Sequence, residues 1–286
     1  MSKPAGLSGG FSRFRIDLAY DGTDFSGWAK QPGLRTVQSE LVAALSTIFG
    51  EDKADFSMRV AGRTDTGVHA LGQVCHIDLS PAQLKRAGRS GLTTKRLQNL
   101  LTREIVIHAV SEVPVEFDAR FSAIGRSYRY LIVDALSPKS PLTSRYELWL
   151  KTSLDIELMQ EGARELVGLH DFAAFCKPRA GATTIRELRK LQVTRFSDNI
   201  EIYLEADAFC HNQVRSMVGA LVAVGERKLE ISTLKTILSG KKRLSEFKVV
   251  SPHGLALTSV EYPEPELFAA QAEKARNKRS AAEISV

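Results

Sequence analysis

Residues 62–79 read GRTDTGVHALGQVCHIDL: a polar loop bounded by Gly62 and Gly67 that runs directly into an apolar stretch over residues 72–79. Glycine reaches backbone conformations that other residues resist, so two glycines around Arg63, Thr64, Asp65 and Thr66 describe a rigid loop at the end of a strand. A neighbouring guanidinium favours a carboxylate in its charged form, and a held, charged carboxylate is suited to nucleophilic attack. On the residues alone, a tight turn closed by a local Arg63–Asp65 pair is the favoured reading. A third reading takes Asp65, His69, Cys75 and His76 as metal ligands. Their spacing matches no zinc signature, and a strand sends Cys75 and His76 to opposite faces, so no metal is expected.

Upstream, Phe14, Ile16, Leu18 and Tyr20 alternate with Arg15, Asp17 and Ala19, which predicts a strand that turns at residues 21–24. Thr36 reads as a helix N-cap, with Val37, Leu41, Leu45 and Ile48 at helical spacing after it. A weak strand is expected at 57–60, a helix at 92–101 and a strand at 105–110. Downstream, 126–133 (RSYRYLIV) reads as a strand and 156–167 as an amphipathic helix. Residues 188–195 and 200–206 read as a hairpin around Ser197-Asp198-Asn199. Residues 212–225 suit a long apolar helix, 231–238 a shorter one and 255–262 a closing strand. Strands and helices are interspersed, with hairpins as well as crossovers, which predicts an α+β fold with largely antiparallel sheets. The expected organisation is a flexible segment at 1–12, an N-terminal half at 13–115 holding the Asp65 loop, a C-terminal half at 116–262, and a polar, solvated helix or tail at 263–286.

The chain has 286 residues, 43% of them hydrophobic and 25% charged, enough for a sizeable core. A net charge of +6 fits a polyanionic partner or merely a basic surface. Cys75, Cys176 and Cys210 are far apart and form no Cys-x-x-Cys pair, so no disulfide framework is expected and a reducing cytoplasm is. The N-terminus lacks the apolar core of a signal peptide, and no apolar run reaches the roughly 18 residues that span a bilayer. No P-loop or dinucleotide fingerprint is present, so no cofactor is expected. Lys85-Arg86 with Arg89, and Lys241-Lys242-Arg243, suit either phosphate contacts or solvated surface. Trp28 suits either a stacking surface or the core.

Five blocks, in order, carry a family resemblance. Residues 62–79 resemble the segment GRTDAGVHAxGQV of the tRNA pseudouridine synthase A family. Residues 19–45 (AYDGTDFSGWAKQPGLRTVQSELVAAL) resemble its opening block. DARFSA at 118–123, with Arg126, Tyr128 and Tyr130, resembles its central block. FCHNQVRSMVG at 209–219 and PHGLALTSVEY at 252–262 resemble its last two. Departures are Ala29 for the usual Gln, Thr66 for the usual Ala, and residues 99–105, which lack the family's Pro and Asp. The resemblance implies two similar halves whose sheets join into one extended sheet, helices packed on it and the active site in the central cleft. It implies isomerisation of uridine to pseudouridine at positions 38, 39 and 40 of the tRNA anticodon arm, by a cytoplasmic homodimer. Asp65 is then the expected nucleophile and Arg215 its charge partner. Tyr128 is expected to stack on the base, Leu255 to pack against it and Arg63 to contact RNA. Attack on the ribose, attack on the base and proton removal are all compatible with the pattern. His69, His170 and His211 are read as structural hydrogen-bonders. A catalytically silent RNA-binding protein on the same fold and a metal-dependent RNA hydrolase are the rival readings.

Overall fold

The alternation of Phe14, Ile16, Leu18 and Tyr20 becomes the strand β1 (Ser12–Tyr20), with the last three of these side chains buried. The structure is a computed structural model describing residues 10–51, 56–179, 183–240, 247–277 and 279–284. Most of the expected N-terminal segment, and Lys241-Lys242-Arg243, lie outside the described residues. In chain order β1 is followed by α1 (Val37–Phe49), β2 (Arg59–Val60), β3 (His69–Leu79), α2 (Pro81–Ala87), α3 (Thr94–Gln98) and β4 (Ile105–Val113). Then come β5 (Gly125–Val133), β6 (Leu148–Trp149), α4 (Ile156–Arg164), β7 (Gly168–Asp171), β8 (Ile185–Arg195) and β9 (Ile200–Ala206). The chain closes with α5 (Gln213–Gly225), α6 (Ile231–Gly240), β10 (Leu255–Glu261) and α7 (Phe268–Arg276).

Among the described residues, all ten strands belong to one sheet of order β4-β1-β3-β10-β5-β9-β8-β7, with β2 on β3 and β6 on β5. Every pairing is antiparallel except β5–β6 and β3–β10. The β3–β10 pairing positions the site. Ala256 faces His69 and Leu257 faces Ala70 in parallel register. Two parallel neighbours start at the same end, so the loop that delivers the chain into β3 lies beside the turn that delivers it into β10.

Two buried clusters flank this junction. Ile16, Leu18, Trp28, Leu41, Leu45 and Ile77 belong to the first, and Ile132, Met159, Phe172, Ile202 and Leu221 to the second. Tyr128 packs against both. Trp28 is therefore a core residue, 1% exposed. Thr36 caps α1 as its position predicts: its side chain accepts from the Ser39 amide and Ser39 reciprocates, while Gly50 ends the helix in the left-handed region at φ 61°.

Several expectations need correction. The strand at 57–60 shrinks to two residues, and the helix at 92–101 to Thr94–Gln98. The helix α2, capped by Ser80 with Gln83 and begun by Pro81, was not anticipated. The polar tail contains a helix, but it is docked rather than wholly solvated. Phe268 and Ala272 of α7 are buried, and Phe268 meets Phe117 edge-on at 5.1 Å. Cys176 and Cys210 form a disulfide, because the fold brings their Cα atoms to 5.8 Å across 34 residues. Among the described residues, no helix is long and apolar enough to cross a membrane.

Candidate active site

The loop between β2 and β3 is fastened from behind. Thr64 is buried, its hydroxyl 2.7 Å from the Tyr20 hydroxyl. Its carbonyl accepts from the Trp28 amide at 3.1 Å. Gln73 donates to the Gly62 carbonyl at 2.8 Å and to Tyr20 at 3.2 Å. The Gly67 amide donates to the Phe25 carbonyl and the Val68 amide to the Asp65 carbonyl. Gly67 sits in the left-handed region at φ 76°, as the loop reading requires, whereas Gly62 does not. The decisive glycine was missed: Gly27, at φ 84°, lies so close that a Cβ there would stand 2.8 Å from the Thr64 carbonyl oxygen and 3.1 Å from the Asp65 carbonyl carbon.

With Thr64 turned inward, the Asp65 side chain faces the C-terminal half. There Asn212 adopts the left-handed conformation at φ 67° and starts α5. The turn presents an imidazole and a guanidinium to the two carboxylate oxygens. His211 Nε2 lies 3.4 Å from Oδ1, and Arg215 Nη1 lies 3.8 Å from Oδ2. Arg215 is held by its Nε, which donates to the Val250 carbonyl at 2.8 Å. At 3.8 Å the gross attraction is about 4 kcal/mol for an effective dielectric near 20. Because the Asp65 side chain is 38% exposed, only about 1 kcal/mol of this survives as stability. The chief effect of Arg215 is to place charge. These groups border a cavity of about 590 Å³, lined among others by Trp28, Arg63, Thr66 and Pro252.

Tyr128 and Leu255 lie on the adjacent strands β5 and β10. Leu257 pairs with Tyr128 and Leu255 with Tyr130, so by the two-residue repeat Leu255 shares a face with Tyr128. Leu255 is buried in the second core cluster, and Tyr128 meets Phe209 edge-on at 5.2 Å. Burial pushes the Tyr128 hydroxyl up to about 12; nearby Arg126 offsets part of that, and the Asp65 charge adds to it. Tyr128 is thus a neutral ring close to Asp65. Arg63, Asp65 and Arg215 line the cavity, whereas Tyr128 and Leu255 do not: both pack into the core beneath the sheet junction, Tyr128 near enough for the Asp65 charge to be felt.

The histidines divide. His69 Nδ1 accepts from the Gly22 amide at 3.0 Å, so its hydrogen lies on Nε2, which donates to the His253 carbonyl at 3.0 Å. Burial holds its pKa below the ordinary histidine value, partly offset by Asp21. It therefore works as a neutral tie between the two halves. His170 bonds the Val167 carbonyl. His211 departs from the structural reading, because it faces Asp65. Its position depends on the backbone of Asn212, which no residue pattern announces.

A family model described as tRNA pseudouridine synthase matches residues 18–122 and 163–263. The tRNA pseudouridine synthase A of Streptomyces avermitilis is 48% identical, the match covering 95% of each chain. That of Leifsonia xyli is 43% identical over 94% of this chain and 98% of that one. That of Mycobacterium leprae is 41% identical over 98% and 99%. A solved H/ACA ribonucleoprotein bound to a substrate RNA containing 2'-deoxyuridine overlaps 88% of this chain and 58% of that chain, at 12% identity and TM-score 0.27, which carries no weight here. With the model matching well over half of the chain and relatives near 45% identity along almost its whole length, the chain belongs to the tRNA pseudouridine synthase family.

Proposed function

We propose that this family member isomerises uridine to pseudouridine at positions 38, 39 and 40 of the tRNA anticodon arm, with Asp65 as the nucleophile. The observation that carries the reading is a single carboxylate, held on a backbone-fastened loop and facing a cavity, with the Arg215 guanidinium beside one oxygen and the His211 ring beside the other. The reaction breaks the bond from ribose C1' to uracil N1, turns the base and forms a bond from C1' to C5; C5 gives up one proton and N1 takes up one, so atoms and charge balance. It is redox-neutral and needs no transferred group, so the chain's own residues suffice.

A uridine must leave its stack to reach Asp65. A cavity of about 590 Å³ falls within the size range of small-molecule sites. Tyr128, a neutral ring within reach of the Asp65 charge, is assigned to stack on the uracil, with Leu255 giving an apolar wall. Arg63, on the loop two residues before Asp65, is assigned to the RNA backbone. Arg215 orients Asp65 and balances its charge. A metal-dependent hydrolase is not favoured: both ring nitrogens of His69 and the Nδ1 of His76 are engaged with backbone groups. A silent RNA-binding protein would have no use for the Asp65–Arg215–His211 arrangement. We also assign the protein to the cytoplasm, on the family's tRNA substrate alone since the Cys176–Cys210 bond removes the cysteine argument, and as a homodimer; light scattering at the mass of one chain would exclude the dimer.

The test is modification mapping on unmodified tRNA transcripts bearing uridine at 38, 39 or 40. Pseudouridine at those positions is expected. Modification confined to another arm would overturn the site assignment.

A further inference from the structure

The helix α7 lies beyond residue 263, where the family match ends, yet it is bound tightly to one loop of the body. The Ser122 hydroxyl donates to the Phe268 carbonyl at 3.2 Å, and the Tyr262 hydroxyl to the Ala119 carbonyl at 2.7 Å. Gln271 reaches the Ala123 carbonyl at 3.4 Å. Buried Asp118 closes the same loop, its Oδ1 accepting from the Arg120 and Phe121 amides. Its Oδ2 lies 3.4 Å from Arg59 and 3.9 Å from Arg276 of α7. The guanidinium carbons of Arg120 and Arg276 stand 4.9 and 5.0 Å from the centre of the half-buried Phe121 ring.

This group is joined to the Asp65 loop by one half-buried guanidinium. Arg126 donates to the Arg120 carbonyl at 2.7 Å, to the Ala61 carbonyl at 3.3 Å and to the Asp207 carbonyl at 2.8 Å. Ala61 is two residues before Arg63. Asp207 also holds the chain after α7, through Arg279 at 2.5 Å. After burial, the positive charges of Arg179, Arg63 and Arg59 push the Arg120 pKa below its usual value, which records how closely these cations crowd. Crowded guanidiniums repel one another, and a polyanion relieves that repulsion.

We propose that α7 is an arm of the RNA-binding surface, in which Arg276 and Arg120, ranged on Phe121, hold backbone phosphates of the tRNA strand leading away from the nucleotide at Asp65. The inference rests on the reading of tRNA as substrate. Arg276 is 54% exposed, so replacing it leaves the core intact, and Arg59 still accompanies Asp118.

The experiment compares full-length wild type, Arg276→Gln and the charge-matched control Lys228→Gln, whose lysine pairs with Glu226 just beyond the far end of α5. Turnover and equilibrium binding are measured on one tRNA transcript across a salt series. For Arg276→Gln, KM should rise about 3- to 10-fold with kcat within about twofold, and the slope of log affinity against log salt should become shallower by about 0.7 to 0.9. The control should match wild type. A wild-type KM and slope in Arg276→Gln, or a fall in kcat at unchanged KM, would overturn the arm. A wild type that binds but never converts the transcript would instead overturn the proposed function.

Discussion

Replacing Gly27 by alanine probes the proposed catalytic loop without touching a side chain in it. Two costs can be separated. The first is conformational: at φ 84° an L-residue gives up about 1 kcal/mol or slightly more. The second is steric. The added carbon would stand 2.8 Å from the Thr64 carbonyl oxygen and 3.1 Å from both the Asp65 carbonyl carbon and the Thr66 nitrogen. Backbone cannot rotate away, so residues 64–66 must retreat by roughly half an ångström, which brings the stability loss to about 2–3 kcal/mol, against the roughly 5–15 kcal/mol of a typical domain. A misplacement of about 1 Å can reduce a rate about 100-fold, so half of that predicts roughly a tenfold fall in kcat. Gly33 is the control. It has φ 71° but nothing within 4 Å of where an added Cβ would stand, so Gly33→Ala meets the first cost only. Urea unfolding gives stability, and tritium release from tRNA labelled at uridine C5 gives turnover. A folded Gly27→Ala protein with wild-type kcat would refute the argument, as would an equal loss in Gly33→Ala.

Three further outcomes follow from the packing and charge. Asp134 is fully buried; burial would raise its pKa, but hydrogen bonds from Arg195 and the Leu154 and Leu136 amides hold it down to about 2. Asp134→Ala should lower unfolding free energy by about 2–3 kcal/mol, the lower end for a broken pair because Arg195 is partly exposed; a loss below about 1 kcal/mol would contradict this. Burial, then the charge of Arg13, pushes His76 down to about 4, so the unfolded chain takes up its proton first as pH falls. Stability should therefore decline from about pH 6.5 to about pH 4, and His76→Asn should lack that step in an unfolding titration. Reducing the Cys176–Cys210 bond should cost about 2–4 kcal/mol through its closed loop; coincident unfolding curves with and without dithiothreitol would count against the bond.

Local pattern made much of this fold legible. The alternation in β1, the hairpin of β8 and β9, the cap at Thr36 and the apolar run of α5 all depend on neighbours in sequence. What escaped depends on distant approach. The β3–β10 pairing joins residues more than 180 positions apart, and no residue type marks it. Phe268 and Ala272 are two buried residues in a charged stretch, too few to show a docked face by periodicity. The cysteine pair needed a Cα separation that spacing alone does not give. At the site, Arg63, Asp65 and Arg215 could be named from their blocks. His211 could not, because a left-handed turn at Asn212 aims it, and Gly27 could not, because its constraint comes from Thr64.

The central claim is that the Asp65 carboxylate performs the chemistry. Tritium release from C5-labelled tRNA by wild type and by Asp65→Ala, under single-turnover conditions with binding measured in parallel, tests it most directly. Release at the uncatalysed background with tRNA affinity retained is the predicted result; release by Asp65→Ala at the wild-type rate would contradict it.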